Sequence, residues 1–146
     1  MRTTTLFDNG ELRTFALIFD DGDEPVELIT GFARDNRISA ASMTAVGACR
    51  NVTLGYFDTE IMQYRSTEVN EQVELLSLIG DIATKDGEPT LHAHVVLGRK
   101  DSSAVGGHLQ RANVFPTLEV VLTETPAHLR KRIDPHTGLA LIAIEE

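Results

Sequence analysis

Beyond Ile38 the chain carries no helical period. It runs as short stretches of β-branched and aromatic residues cut by glycines and turn residues, and this texture restricts the fold of the 146-residue chain more than any other feature. Ile38 to Ala48, Val52 to Asp58, Ile61 to Val69, Val73 to Thr84, Pro89 to Arg99, Leu118 to Thr125, His128 to Ile133 and Leu139 to Ile144 each predict a strand. Gly47, Gly55 and Gly80 interrupt these runs, as bulges or close approaches do. Lys85-Asp86-Gly87-Glu88 predicts a hairpin connection looser than a two-residue turn, Lys100 to Gly107 a polar loop, and Asp134 to Gly138 a turn.

Arg13 to Asp20 predicts one earlier strand, ended by Asp21-Gly22. Pro25 suits the first position of a helix, and Val26, Ile29, Phe32 and Ala33 recur at three- and four-residue spacing. One amphipathic helix, about residues 25–36, is therefore expected. A single helix among many strands implies an α+β fold with a mostly antiparallel sheet. The length suits a single domain over residues 1–146, with its core in about 13–144.

Function classes narrow with charge. The formal net charge is −9, and the densest basic stretch is Leu129-Arg130-Lys131-Arg132, which reads as the polar face of a strand. Duplex binding relies on Lys and Arg neutralising phosphates, so an acidic chain is a poor autonomous DNA binder. The cluster Asp20, Asp21, Asp23 and Glu24 lacks the regular ligand series of a calcium loop and reads as a solvated turn. The lone Cys49 permits no intrachain disulfide and reads as a buried, inert thiol. No stretch reaches transmembrane length, and a cytoplasmic protein with no membrane partner is expected.

Three of the five histidines fall between Leu91 and Leu109, in LHAHVVLGRKDSSAVGGHL. Alternate strand side chains share a face. Leu91, Ala93, Val95 and Leu97 would enter the core, leaving His92 and His94 together on the other side, with Cα atoms roughly 6.6 Å apart. Gly106 and Gly107 allow a tight turn or a close backbone approach that could return His108 to the pair. Three neutral imidazoles suit a transition metal, Zn²⁺ first, with one coordination position open. A solvated pair, or one bonded to neighbouring strands, accounts for His92 and His94 equally well. His136 reads as exposed in a turn, and His128 as a residue at a sheet edge. Glu119, amid Leu118, Val120 and Val121, is a candidate catalytic residue, a carboxylate that orients a ligand histidine, or a residue on the wetter face of an edge strand.

The run GEPTLHAHVVLGRKDSSAVGGHLQRANVFPTLEVVL, from Gly87 to Leu122, resembles the signature of the plant and prokaryote conserved (PPC) domain. The stretch from Leu12 to Asp58, with its Val46-Gly47-Ala48 turn, and VELLSLIGDI from Val73 to Ile82 resemble the same family, so the likeness spans about Arg13 to Ile144. The resemblance implies an α/β sandwich-like subunit, a homotrimer, and a metal site on His92, His94 and His108. The family's DNA-binding label belongs with AT-hooks attached in plants. The Gly-Arg-Pro core of an AT-hook is absent here, which puts that label in question for this chain. The fold is also similar to that of acetolactate decarboxylase, which carries zinc on three histidines. Two functions follow as expectations: a trimeric metal-binding regulatory or interaction module, or a metal-dependent lyase- or hydrolase-like enzyme on a small oxygen-rich ligand, with Glu119 as proton shuttle.

Overall fold

In the computed structural model, residues 1–125 and 128–144 are described, and their strands join in one nine-stranded sheet. The elements are β1 (Arg2–Asp8), β2 (Arg13–Phe19), α1 (Pro25–Asp35), β3 (Ala40–Asp58), β4 (Gln63–Val69), β5 (Val73–Lys85), β6 (Glu88–Gly98), β7 (Ala104–Glu124), β8 (Arg130–Ile133) and β9 (Ala140–Ala143). All pairings are antiparallel except a short parallel contact of β5 with β8, so the sheet is mixed and the fold is α+β.

Two strands are far longer than the sequence suggests. The runs around Ala48 and Val52 join into the 19-residue β3, and the region after Ser103 forms the 21-residue β7. Register shifts at Ala45/Gly47, Gly47/Cys49, Cys49/Asn51 and Thr53/Leu54 let β3 bend without breaking. The bend allows a closed circuit. The first half of β3 pairs with β5, β5 with β6, β6 with the first half of β7, and that half of β7 with the second half of β3. Gly47 sits where an added Cβ would collide with the backbone at Thr117 and Leu118, so the expected close approach is real there.

The core lies inside this circuit and under α1. Leu17, Phe19, Ile29, Leu75, Leu78, Ile82, Leu97, Leu118 and Leu122 are fully buried. The helix buries Ile29 and Ala33, and Phe32 meets Phe15 edge-on at 5.1 Å. Glu24 caps α1 by accepting from the amides of Val26 and Glu27, and it also accepts from Ala112 N. One member of the acidic cluster is thus a cap that ties the helix to β7, while Asp20 and Asp21 are exposed as expected.

Two turns differ from the sequence reading. The connection of β5 to β6 is a two-residue turn, not a looser one. Asp86 and Gly87 both have positive φ (51° and 86°), as a type I′ hairpin requires. The loop expected to reach Gly107 ends at Ser103, and β7 starts at Ala104. Strand β1 is absent from the sequence reading because all seven of its residues are exposed, which leaves no alternation to detect. No helix of the described residues is long and apolar enough to cross a membrane.

Candidate metal centre

The Asp86-Gly87 turn sets the register of β5 against β6. Counting back from it, Asp81 falls opposite His92 and Ile79 opposite His94. The shorter loop after Gly98 sets β6 against β7 and puts His94 opposite His108. Ala93, Val95 and Leu109 are buried, so the three imidazoles share the outward face. Gly106 and Gly107 contribute by close approach and not by turning the chain. An added Cβ on Gly106 would stand 2.7 Å from Val95 O, and one on Gly107 would stand 3.0 Å from Gly55 O. These glycines let β7 lie tightly between β6 and β3.

The ring centroids form a near-equilateral triangle: His92–His94 5.1 Å, His92–His108 5.3 Å and His94–His108 5.5 Å. One nitrogen from each ring lies within 4.8 Å of the others. Tyr64 of β4 leans over His108 with centroids 5.1 Å apart. His108 Nδ1 is buried and meets no hydrogen-bond partner among the described residues. An orphaned ring nitrogen beside two other imidazoles fits a ligand set better than a hydrogen-bonded core histidine.

Electrostatics favour the neutral form of His92 and His108. Burial pushes His108 down to about 4, with further lowering from His92, His94 and Lys131. Burial and Lys131 lower His92 as well, against the opposing pull of Asp81. Neutral rings offer lone pairs, so this donor set suits a borderline cation such as Zn²⁺ near neutral pH.

Other candidates lie elsewhere. Glu119 is exposed on the same β7 as His108, opposite Ile18 and Val46, and borders a surface hollow with Thr44, Leu76 and Val121. It stands eleven residues along the strand from His108 and is not gathered into the histidine triangle. His136 is exposed in its turn. His128 precedes β8, and its Nδ1 lies 2.6 Å from Ser39 Oγ. Cys49 is buried, and burial pushes its thiol up to about 11. A carboxylate also lies beside the triangle, with Asp81 Oδ2 3.4 Å from His92 Nδ1. Sequence reasoning missed it, although reading Asp86-Gly87 as a two-residue turn would have set it opposite His92.

A profile of the Plants and Prokaryotes Conserved (PCC) domain matches residues 8–126. The chain belongs to this family. Among solved structures, the PCC-domain chain is similar to a plant- and prokaryote-conserved protein from Pyrococcus horikoshii, with 32% identity, TM-score 0.85, and 96% of this chain and 99% of that one covered. It is similar to a metal-containing protein from Archaeoglobus fulgidus, with 35% identity, TM-score 0.84, and 99% and 100% covered. It is also similar to a candidate DNA-binding protein from Bacteroides thetaiotaomicron, with 25% identity, TM-score 0.85, and 97% and 96% covered. A Staphylococcus aureus protein described as similar to α-acetolactate decarboxylase shares the fold alone, at 9% identity and TM-score 0.55 over 75% of this chain and 51% of that one. No curated protein matches the sequence.

Proposed function

We propose that this PCC-domain protein is a cytoplasmic, homotrimeric metal-binding module. In this reading His92, His94 and His108 hold zinc, and the domain acts by regulation or interaction. The observation that carries it is the convergence of three imidazole nitrogens within 4.8 Å. The A. fulgidus relative described as metal-containing supports the same reading. Bound zinc would supply a Lewis-acid centre with a position open to an outside oxygen or nitrogen. The strand circuit with α1 packed on one side supports an α/β sandwich-like description of each subunit.

An interaction role is supported by the surface around the site. Thr44 pairs across the outward face with Val121 and Ile79, and Ile79 pairs with His94. Val46, Leu76, Ile79 and Val121 expose 44–67% of their surface along these strands. Apolar rows of this kind mark protein contacts, and self-assembly into a trimer would cover them. In this reading DNA is no partner. The net charge of −9 opposes phosphate binding.

A second reading is a metal-dependent lyase- or hydrolase-like enzyme. It is favoured by a hollow of about 410 Å³ bordered by Ile79, Gly80, Asp81, His92 and His94, which has room for a small oxygen-rich ligand. Glu119 does not border that hollow, so a proton-shuttle role for it has no support from its position in one subunit.

Elemental analysis and light scattering test the main reading together. About one zinc per chain and a mass of three 16.0 kDa chains are expected. Metal-free protein after zinc supplementation, or a monomer mass at micromolar concentration, would overturn the corresponding half. Titration of zinc-loaded protein with small hydroxy and keto acids separates the second reading, which requires saturable binding.

A further inference from the structure

Lys131 is the one charged residue buried among the described residues, with its side chain 3% exposed. It comes from β8, the strand that meets β5 at Thr84. Its Nζ lies 3.0 Å from Asp81 Oδ1, and the other oxygen of that carboxylate faces His92 Nδ1. Asp81 is not among the groups that converge in the triangle. Its two oxygens are divided between a buried cation on one side and a histidine on the other.

From this arrangement we propose that Lys131 and Asp81 are positioning residues that fix the orientation and tautomer of His92. The inference rests on the metal reading of the three histidines and deepens it. A carboxylate beside Nδ1 draws the proton to that nitrogen and leaves the Nε2 lone pair as the donor His92 brings to the triangle. An unpaired Asp81 could swing about its χ angles. Lys131 restrains it by charge, because the ammonium is enclosed by protein and pairs with Asp81 Oδ1 at 3.0 Å. Stability alone does not account for the pair. A buried ion pair commonly does no better than apolar residues of similar volume, so its position beside a candidate ligand calls for another role. Lys131 also keeps Asp81 from joining the donor set, since a carboxylate neutralised on one oxygen is a weaker ligand.

The test uses full-length protein, zinc alone as the probe, and two readouts. The first is zinc affinity by competition with a chromophoric chelator. The second is long-range ¹⁵N–¹H correlation of the histidine rings in metal-free protein above pH 7.5. In wild type, His92 should carry its proton on Nδ1. Asp81→Ala should move that proton to Nε2, the ordinary preference of free imidazole, and lower zinc affinity by roughly ten- to a hundredfold. Lys131→Met should act in the same direction and less strongly. Asp81→Ala leaves the buried ammonium unpaired and can impair folding, so the double variant Asp81→Leu/Lys131→Met removes both charges together and should give the same tautomer shift.

Wild-type affinity with an unchanged His92 tautomer in the variants would overturn the inference. So would an affinity loss with the tautomer unchanged, since the pair would then act through charge and not orientation. If wild type binds no zinc, the metal reading fails on its own. The tautomer comparison in metal-free protein still decides whether Asp81 and Lys131 orient His92.

Discussion

His94 and His108 are direct cross-strand partners, fourteen residues apart in sequence and opposite one another on β6 and β7. Their closeness is a property of strand register, not of a flexible loop. A register-set pair is held by the ladder on both sides, so the two imidazoles start near each other before any ion arrives, and less ordering entropy opposes binding.

Removing one corner of the triangle should empty it. His94→Ala or His108→Ala is expected to reduce bound zinc from about one per chain to near zero, because two imidazoles and water hold the ion far more weakly. His136→Ala should retain the metal, since His136 lies exposed in a turn outside the cluster. Elemental analysis after gel filtration reads the result. Equal loss in His94→Ala and His136→Ala would refute the site.

Gly106→Ala should damage the site from outside it. The new methyl would press on Val95 O and push β7 away from β6 at the His94–His108 pair. A stability loss of about 1–3 kcal/mol and weaker zinc binding are expected. Gly31→Ala, in open space on α1, should be neutral or stabilising by up to about 1 kcal/mol. Urea melts compare the two, and a wild-type midpoint for Gly106→Ala would contradict the close-approach role.

Acid should act on the metal-free fold through His108. Its folded pKa, pushed down to about 4, lies below the ~6.5 of an unfolded histidine. Between these values the unfolded chain binds the extra proton, so the contribution is fully present above pH ~6.5 and is lost as pH falls toward 4. Allowing for a half-buried ring, the effect is on the order of 1–2 kcal/mol. Thermal melts of chelator-treated protein should show a steeper fall over this window in wild type than in His108→Ala. Parallel slopes would show that His108 titrates normally.

Cys49 should stay silent in the native protein. It is fully buried, with its thiol pushed up to about 11. Ellman's reagent at pH 8 should find no thiol before denaturation and one per chain after it. Rapid native labelling would mean that β3 opens far more readily than its packing implies.

Generic duplex DNA should not bind tightly at physiological salt, given a net charge of −9. Gel shifts with random-sequence duplex give the answer. Submicromolar, salt-sensitive binding would reveal a segregated basic face strong enough to outweigh the total charge.

Alternation lies in neighbouring residues, and it was legible from the chain alone. Val26, Ile29, Phe32 and Ala33 marked α1, whose limits match the expected span to within a residue. The alternation from Leu91 to Leu97 put His92 and His94 on one outward face. The Gly106-Gly107 pair pointed to His108 as the third candidate, and the family likeness, which implied the same three histidines, is matched by the PCC profile over residues 8–126. Tertiary structure decided the rest, because it depends on which strands meet. The bulges that bend β3 carry a backbone preference too weak to read locally, and without them β3, β5, β6 and β7 do not close their circuit. Asp81 needed the register of the Asp86-Gly87 turn to face His92. Lys131 stands in a run of basic residues that reads as a solvated face, yet β8 docks beside β5 and buries that one ammonium against Asp81 while Arg130 and Arg132 stay exposed. Burial of a charge is settled by the partner it finds across the fold, and nothing in a residue's neighbours along the chain records that partner.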